Sequence, residues 1–427
     1  MTGPRTAVDH VRRSLVRIAD LDGDLRSCIL LRPEAVDEAN SVDASSRHLP
    51  LAGWTVAVKD NMDVAGTVRT DGLGPPHRPP SATDSEAVRR LRRAGAVVVA
   101  KTNLEQLGFG ATTQNPAWGA CRNPWDRDRI PGGSSGGSAV AVAAGMVHAA
   151  LGTDTGGSLR NPASFCGVST LRPTHGLVPT AGVTPMSPSM DVVGPIAQRV
   201  ADLRRLMVAL TGEAGPREAV PLRGLAVGVP RGYFFDELDG AVAQGFDALV
   251  GVLRAGGARL APVTLAGVAG AADAMAVLQN AEAASTLRAY WDDPRLGDGV
   301  RERMNVGRAT TNAQLAAALR TARRWRRTVA DTFAEVSVIV TPATPFVAPP
   351  IAPDDLITLS RRINRFTGCW SLLGTPALGL PLPPSGDGLP VGGQFIGPGG
   401  SDWRLLAIGE AIQTASAWHT QRPVSGP

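Results

Sequence analysis

The chain has 427 residues, of which 43% are hydrophobic and 19% charged, with a formal net charge of +5. This composition excludes a disordered protein and can supply the core of one large domain or of two closely packed ones. The four cysteines, Cys28, Cys121, Cys166 and Cys369, include no CxxC pair, which excludes a disulfide framework. No apolar stretch reaches the roughly 20 residues of a membrane span, and the N-terminus has no signal-peptide core. We therefore expect no membrane contact and a cytoplasmic location.

The predicted elements alternate between helices and short buried strands. The pattern predicts a helix to about residue 47, strands at 54–59, 96–100 and 148–152, and helices at 87–93 and 137–145. A helix at 201–210, a strand at 225–229, a helix at 241–254 and a strand at 258–263 follow, and the segment 266–335 is mostly helical. Strands at 338–340, 377–382 and 391–396 and helices at 359–373 and 402–413 complete the chain. Strands joined by crossover helices are typical of an α/β fold, here a central mixed, mostly parallel β-sheet flanked by helices.

The basic residues carry the first functional signal. Two arginine runs, at 89–93 and 320–327, lie in predicted helices without interleaved aromatic residues, which disfavours nucleic-acid binding. Of the 43 basic residues only Lys59 and Lys101 are lysine. Arginine stays protonated at accessible pH, whereas a buried lysine can become a neutral amine and act as a base. The two lysines are therefore candidates for chemistry, although chance or a hydrogen-bonding geometry that only lysine fits explains them equally well.

Two glycine-rich serine motifs carry the second signal. The segment PGGSSGGSAVAVAAG, with Ser134 and Ser135, lacks the GK[ST] of a phosphate loop and the GxGxxG of a dinucleotide site. The segment GTDTGGSLRNPASFCG places Ser158 at a predicted strand-to-helix turn, where the amides of residues 155–158 face outward at the positive end of a helix dipole. An oxyanion hole needs this geometry, although a helix N-cap explains one such serine as well.

A nucleophilic serine also needs a base. None of the six histidines lies in the serine motifs and no GxSxG elbow is present, so a Ser-His-Asp triad has little support. Lys59, at the end of a predicted strand, is the remaining candidate and fits a serine-lysine variant of nucleophilic catalysis.

The ordered motifs VAVKDNMDVAG, AKTNLEQLGFG, PGGSSGGSAVAVAAG, GTDTGGSLRNPASFCGVSTLRPTHG and SPSMDVVGP resemble the amidase signature family. The similarity runs through residues 51–195, with weaker agreement in GTPALGLPLP and LPVGGQFIGPGGSDWRLL. The resemblance implies one amidase domain over residues 1–427. The signature core then lies at 51–195, and the helical region at about 266–335 is expected to determine substrate specificity.

The resemblance also implies a role for each matching residue. Ser158 becomes the acylated nucleophile, Ser134 the bridging serine after a cis peptide from Gly133, and Lys59 the base. The oxyanion hole is expected at Thr155, Gly156 and Gly157, and the supporting residues are Ser135, Asp154, Asp191 and Arg160. Lys101 is expected to be structural. No metal and no cofactor are implied.

These roles predict an amidase that hydrolyses the C–N bond of a small-molecule carboxamide through an acyl-enzyme. Two related functions stay open, namely the glutaminase-type A subunit of a glutamyl-tRNA amidotransferase and an amide-forming acyltransferase that uses the same acyl-enzyme. A non-catalytic binding protein is the remaining alternative. The sequence leaves the substrate and a homodimeric state open.

Overall fold

The computed structural model describes residues 6–75, 78–216, 219–351 and 355–423. The strands of these residues are β1 (Cys28–Leu31), β2 (Thr55–Lys59), β3 (Val97–Thr102), β4 (Gln114–Asn115), β5 (Gly119–Ala120), β6 (Ala149–Asp154), β7 (Ser169–Arg172), β8 (Val192–Ala197), β9 (Ala226–Pro230), β10 (Arg259–Val263), β11 (Val338–Pro342), β12 (Ala377–Leu382) and β13 (Val391–Ile396). The α-helices are α1 (Ala7–Leu25), α2 (Ala35–Asp43), α3 (Glu86–Arg93), α4 (Gly136–Ala143), α5 (Arg160–Cys166), α6 (Val200–Thr211), α7 (Gly240–Ala255), α8 (Val268–Thr286), α9 (Asp298–Arg308), α10 (Asn312–Glu335), α11 (Leu356–Ile363), α12 (Gly368–Ser371) and α13 (Asp402–Ala415).

Eleven of these strands form one sheet in the order β1-β3-β2-β6-β8-β7-β12-β13-β11-β9-β10. β2 is parallel to β3 and β6, and β9 is parallel to β10 and β11. The other neighbouring strands of the sheet are antiparallel. The α/β class and the mixed sheet flanked by helices are confirmed. Parallel pairing is confined to these two groups, because β7 connects to β8, and β12 to β13, without the crossover helix that a parallel pair requires.

Helices cover both faces of the sheet. Successive side chains of a strand point to opposite faces, so Val56 and Val58 of β2 enter one core and Ala57 enters the other. Helices α3, α6, α7 and α13 pack on the first core, and α1, α2, α4 and α5 pack on the second. A further core is built by α8, α10 and α12, where the rings of Trp325 and Trp370 lie 5.6 Å apart.

The sequence pattern missed three strands of the eleven-stranded sheet. β1 lies in the stretch predicted to be helical to residue 47; it is a four-residue, half-exposed strand at the sheet edge and too short for a clear period-two pattern. β7 and β8 lie in the signature core, where turn residues surround them. The segment 266–335 is helical as predicted and consists of α8, α9 and α10. In the part of the chain that the structure describes, no helix combines the length and apolar character needed to cross a membrane.

The fold brings Lys59 and the two serine motifs together at the carboxyl ends of neighbouring strands of the sheet. β2 and β6 are parallel neighbours, so Lys59 at the end of β2 lies beside Thr153 at the end of β6. Helix α4 begins directly after Ser135 and packs closely against the end of β3. A Cβ atom on Gly137 would lie 2.6 Å from the Asn103 carbonyl oxygen, so only glycine fits there.

Candidate active site

Lys59 is completely buried and its amine is surrounded by hydroxyl groups. Nζ lies 2.7 Å from Ser134 Oγ, 3.0 Å from Ser135 Oγ and 2.8 Å from Thr153 Oγ1. Burial lowers the pKa of Lys59 to about 7, although the negative charges of Asp154, Asp191 and Glu105 oppose this shift. A lysine with this pKa is substantially neutral near pH 7 and can accept a proton.

Lys101 is equally buried but has a different environment. Its Nζ forms an ion pair with Asp60 Oδ1 at 2.5 Å, and both side chains are at most 1% exposed. No described carboxylate forms an ion pair with Lys59. The two lysines therefore differ in their partners. Lys101 neutralises a buried carboxylate, whereas the hydrogen-bond partners of the Lys59 amine are hydroxyl groups.

Ser134 and Ser135 lie at the start of α4 with different roles. The peptide bond between Gly133 and Ser134 is cis, as the resemblance implies. The Ser135 hydroxyl donates to the Thr153 carbonyl at 3.0 Å and accepts from the Thr153 amide at 3.3 Å, so it ties α4 to β6. The Ser134 hydroxyl has Lys59 as its partner at 2.7 Å.

Ser158 lies beside these two serines and is 7% exposed. Its carbonyl oxygen accepts a hydrogen bond from the Ser135 amide at 3.2 Å, which fixes the turn against α4. Among the described residues no hydrogen bond joins the Ser158 hydroxyl to Ser134. The structure thus places the nucleophile candidate next to the relay and shows only the first link of that relay, from Lys59 to Ser134.

The backbone amides between Asp154 and Ser158 divide into two groups. The Gly157 amide donates to Asp154 Oδ1 at 2.9 Å and is therefore not a free donor, contrary to the expectation for the oxyanion hole. Asp154 is the last residue of β6, and its carboxylate turns back to bind the loop. The amides of Thr155, Gly156 and Ser158 have no protein acceptor within the described residues. An oxyanion hole built from this turn would use those three amides.

Asp154 anchors the turn through a buried charge network. Its carboxylate pairs with Arg160 and Arg172, each at 3.0 Å, and all three side chains are fully buried. Burial alone would raise the pKa of Asp154, but the two guanidinium charges outweigh it and hold the pKa well below its usual value. Arg160 also donates to the Thr367 carbonyl at 2.9 Å and to Ser371 at 3.0 Å. Its donors are engaged inside the protein, so Arg160 holds the loop and does not face a substrate.

The turn at residues 154–158 also contacts helix α8 and the loop before β8. The hydroxyl of Thr155 donates to Asp191 Oδ1 at 2.5 Å, and Asp191 Oδ2 accepts two backbone amides of its own loop. Glu282 of α8 accepts hydrogen bonds from Ser187 and Ser189 of that loop. Met275 of α8 packs on Gly156, so the predicted specificity region does reach the candidate site.

A cavity of about 260 Å³ lies beside the relay. The polar side chains that line it include Asn61, Thr153, Thr155 and Asp191, and much of the remaining lining comes from the loop 175–193. Its size suits a small ligand rather than a polymer. In the described part of the chain no three His, Cys, Asp or Glu side chains are grouped as a metal site requires.

Comparisons with known proteins show the family of the chain. The family model described as Amidase matches residues 9–406. The chain belongs to the amidase family. The A subunit of the glutamyl-tRNA(Gln) amidotransferase of Chloroflexus aggregans is 35% identical to this chain over 469 aligned positions, which cover 99% of this chain and 95% of the relative. The alignment is longer than the 427 residues of this chain, so the relative has segments that this chain lacks.

Solved structures of amidase relatives show the same fold. One described as an amidase has a TM-score of 0.89 and 34% identity, and covers 96% of each chain. The A subunit of the glutamyl-tRNA(Gln) amidotransferase of Thermotoga maritima has a TM-score of 0.83 and 31% identity, with coverage of 96% of this chain and 92% of that one. The family recognised in the sequence is therefore confirmed, and the fold with it.

Sequence reasoning missed two residues of the candidate site. Thr153 lies five residues before Ser158, and Asn61 lies two residues after Lys59. Thr153 contacts the relay, since its Oγ1 lies 2.8 Å from Lys59 Nζ, and Asn61 contacts Thr153, since its Nδ2 lies 3.1 Å from the same oxygen. The available signal was their polarity at the ends of two buried strands, where parallel neighbours bring polar side chains together.

Proposed function

We propose that this chain hydrolyses a carboxamide C–N bond through an acyl-enzyme on Ser158, with Lys59 and Ser134 as the proton relay. One observation carries the proposal: the Lys59 amine is buried, forms no ion pair with a described carboxylate and lies 2.7 Å from Ser134 Oγ. A buried amine that is not ion-paired and has a pKa of about 7 has the properties of a general base.

The proposed reaction begins with proton transfer. Neutral Lys59 accepts the proton of Ser134, and Ser134 takes the proton of Ser158 as the Ser158 oxygen bonds to the amide carbonyl carbon. The carbonyl π electrons move to its oxygen, where the amides of Thr155, Gly156 and Ser158 are placed to donate. The relay then returns the proton to the departing nitrogen, the C–N bond breaks, and water hydrolyses the acyl-enzyme. Catalytic hydrogen bonds often form fully only with substrate bound, which accounts for the missing Ser134–Ser158 contact.

We propose a carboxamide that also carries a carboxylate, of which glutamine is the leading example. Arg303 of α9 is half-buried, donates to the Phe109 carbonyl at 2.6 Å and forms no ion pair with a described carboxylate. Phe109 follows Gly108, which lines the cavity and lies near Ser134. A guanidinium with free N–H groups at this position is suited to bind a substrate carboxylate.

The relatives support glutamine as the substrate, and they also support a second candidate function as a component of a complex. The A subunits of amidotransferases match the chain from end to end, which favours a glutaminase that works within a complex. The stand-alone amidase is favoured by the solved amidase structure, which matches equally well at 34% identity. Acyl transfer to an amine uses the same acyl-enzyme and differs only in the nucleophile that releases the acyl group.

Ammonia release by the purified chain tests these proposals. The substrates are glutamine, asparagine and the neutral amide butyramide, and the variants are Arg303→Gln and, as a control, the exposed Arg308→Gln on the same helix. We expect Arg303→Gln to lower kcat/KM for glutamine about tenfold or more and to leave butyramide hydrolysis unchanged. Equal loss on both substrates would reject the carboxylate contact. Labelling of Ser158 without ammonia release would favour a component of a complex, and release of hydroxamate with added hydroxylamine would favour acyl transfer.

A further inference from the structure

Each of the three hydroxyl contacts of Lys59 requires one donor and one acceptor, and the direction of each determines where the lone pair of the amine points. Nζ lies within hydrogen-bond distance of Ser134, Ser135 and Thr153. A neutral amine has two N–H donors and one lone pair. It can therefore donate in two of these contacts and must accept in the third. Only acceptance from Ser134 starts the proposed reaction, so the other two hydroxyl groups must be acceptors.

Ser135 is fixed as an acceptor by its own hydrogen bond. Its hydroxyl donates to the Thr153 carbonyl at 3.0 Å, which uses its only hydrogen. Its oxygen therefore faces Lys59 as an acceptor at 3.0 Å. One of the two N–H groups of neutral Lys59 is thereby assigned.

Thr153 is biased toward acceptance by Asn61. Asn61 Nδ2 donates to Thr153 Oγ1 at 3.1 Å, while Lys59 Nζ lies 2.8 Å from the same oxygen. Asn61 is 4% exposed, and its Oδ1 atom is buried and has no hydrogen-bond partner among the described residues. An unpaired buried acceptor is costly, and such atoms concentrate at functional sites. Because Oδ1 has no partner, the bond from Nδ2 to Thr153 is the hydrogen bond that the Asn61 side chain makes among the described residues.

We propose that Thr153 and Asn61 are positioning residues that direct the lone pair of neutral Lys59 at the Ser134 hydroxyl. The inference rests on the proposed function, since it concerns the same relay. With both N–H groups held by Ser135 and Thr153, the lone pair points to Ser134 Oγ, 2.7 Å away. Without the Thr153 hydroxyl, the amine rotates about its bond to Cε, and the lone pair is turned away from Ser134 for part of the time.

The charges around Lys59 do not change in a Thr153 variant. The carboxylates that act on its amine belong to Asp154, Asp191 and Glu105, and Asp60 is neutralised by Lys101. Removal of the Thr153 hydroxyl leaves all of these groups in place. It takes one acceptor from the ammonium form of Lys59, so the pKa of Lys59 falls further. Two readouts therefore move together, namely the rate at high pH and the position of the acid limb.

The test measures phosphonylation of Ser158 by a fluorophosphonate at several pH values. The variants are Thr153→Val, which removes the hydroxyl at constant shape, Thr153→Ser, which restores it, and Asn61→Ala. The control is Thr170→Val, which removes another buried threonine hydroxyl. That hydroxyl donates to the Pro195 carbonyl at 2.9 Å, and Thr170 lies on β7, which β6 and β8 separate from β2. We expect Thr153→Val to lower the plateau rate about tenfold and to move the acid limb down by about one pH unit.

Thr153→Ser is expected to recover most of the rate, and Asn61→Ala to lower the plateau in the same direction by a smaller factor. A Thr153→Val chain with the plateau and acid limb of the wild type, or a Thr170→Val chain that shows the same shifts, overturns the inference. If Thr153→Val does not fold, an Asn61→Ala chain with a wild-type plateau overturns it instead. A wild-type chain that is not phosphonylated at Ser158 overturns the proposed function and this inference together.

Discussion

Replacing each of the two lysines by methionine should separate catalysis from stability. Lys59→Met removes an amine that has three neutral hydroxyl partners, each hydrogen bond contributing about 1 kcal/mol, while the methionine chain fills the same space. Lys101→Met instead leaves Asp60 buried without its counter-charge, a change that costs about 3–5 kcal/mol. The two residues lie on neighbouring strands, with Val58 and Lys101 in register, and both side chains are fully buried.

We therefore expect opposite outcomes from two measurements on these variants. In urea denaturation followed by tryptophan fluorescence, Lys101→Met should lose about 3–5 kcal/mol of unfolding free energy. Lys59→Met should lose less, because the loss of its hydrogen bonds, about 3 kcal/mol together, is offset in part by the desolvation that the buried amine no longer requires. In fluorophosphonate labelling of Ser158, Lys59→Met should slow the reaction by about 10²–10⁴, the usual contribution of a general base. A Lys59→Met chain that labels at the wild-type rate, or a Lys101→Met chain that is the more stable of the two, would refute this assignment of roles.

Two further predictions follow from the same contacts. Burial lowers the pKa of Lys59 to about 7, and only the neutral amine accepts a proton. The acylation rate should therefore rise with pH, from about a tenth of the plateau at pH 6 to about nine-tenths at pH 8. A single-turnover rate that is flat over this range would contradict the neutral base. Gly157→Ala should slow acylation about 10²-fold or more, because Gly157 has φ +139° and a Cβ there would lie 2.7 Å from Asn161 Nδ2. Gly212→Ala, at φ +80° with no atom within 4 Å, carries a positive-φ strain without the clash and should label as the wild type does.

The sequence predicted the residues that belong to a motif better than their contacts. Lys59 and Ser158 could be proposed because each lies in a segment whose residue types already restrict the chemistry, whereas Ser134 could be proposed only through the resemblance to the amidase signature family. The partner of each side chain could not be found, since it depends on which strands become neighbours. Lys101 and Lys59 look alike in sequence, and only the pairing of β2 with β3 shows that one of them meets Asp60.

The remaining differences have similar physical causes. The antiparallel pairing of β7 with β8 and β12 was not expected, because β7 and β8 were not predicted as strands. The Gly157 amide was predicted to be free because the sequence does not show that the Asp154 carboxylate turns back to bind it. The contact between the helical segment and the candidate site also needed the structure, since only the tertiary fold places Met275 against Gly156.

The most direct test of the proposed acyl-enzyme is to trap it. A carboxamide that the chain hydrolyses is mixed with the enzyme, the reaction is quenched in acid during the first turnover, and the acyl adduct is located by peptide mass spectrometry. The proposed reaction predicts an adduct of the substrate's acyl mass on Ser158 that is absent in Ser158→Ala and strongly reduced in Lys59→Met. An adduct on Ser134 or Ser135, or ammonia release by the Ser158→Ala chain at the wild-type rate, would contradict it.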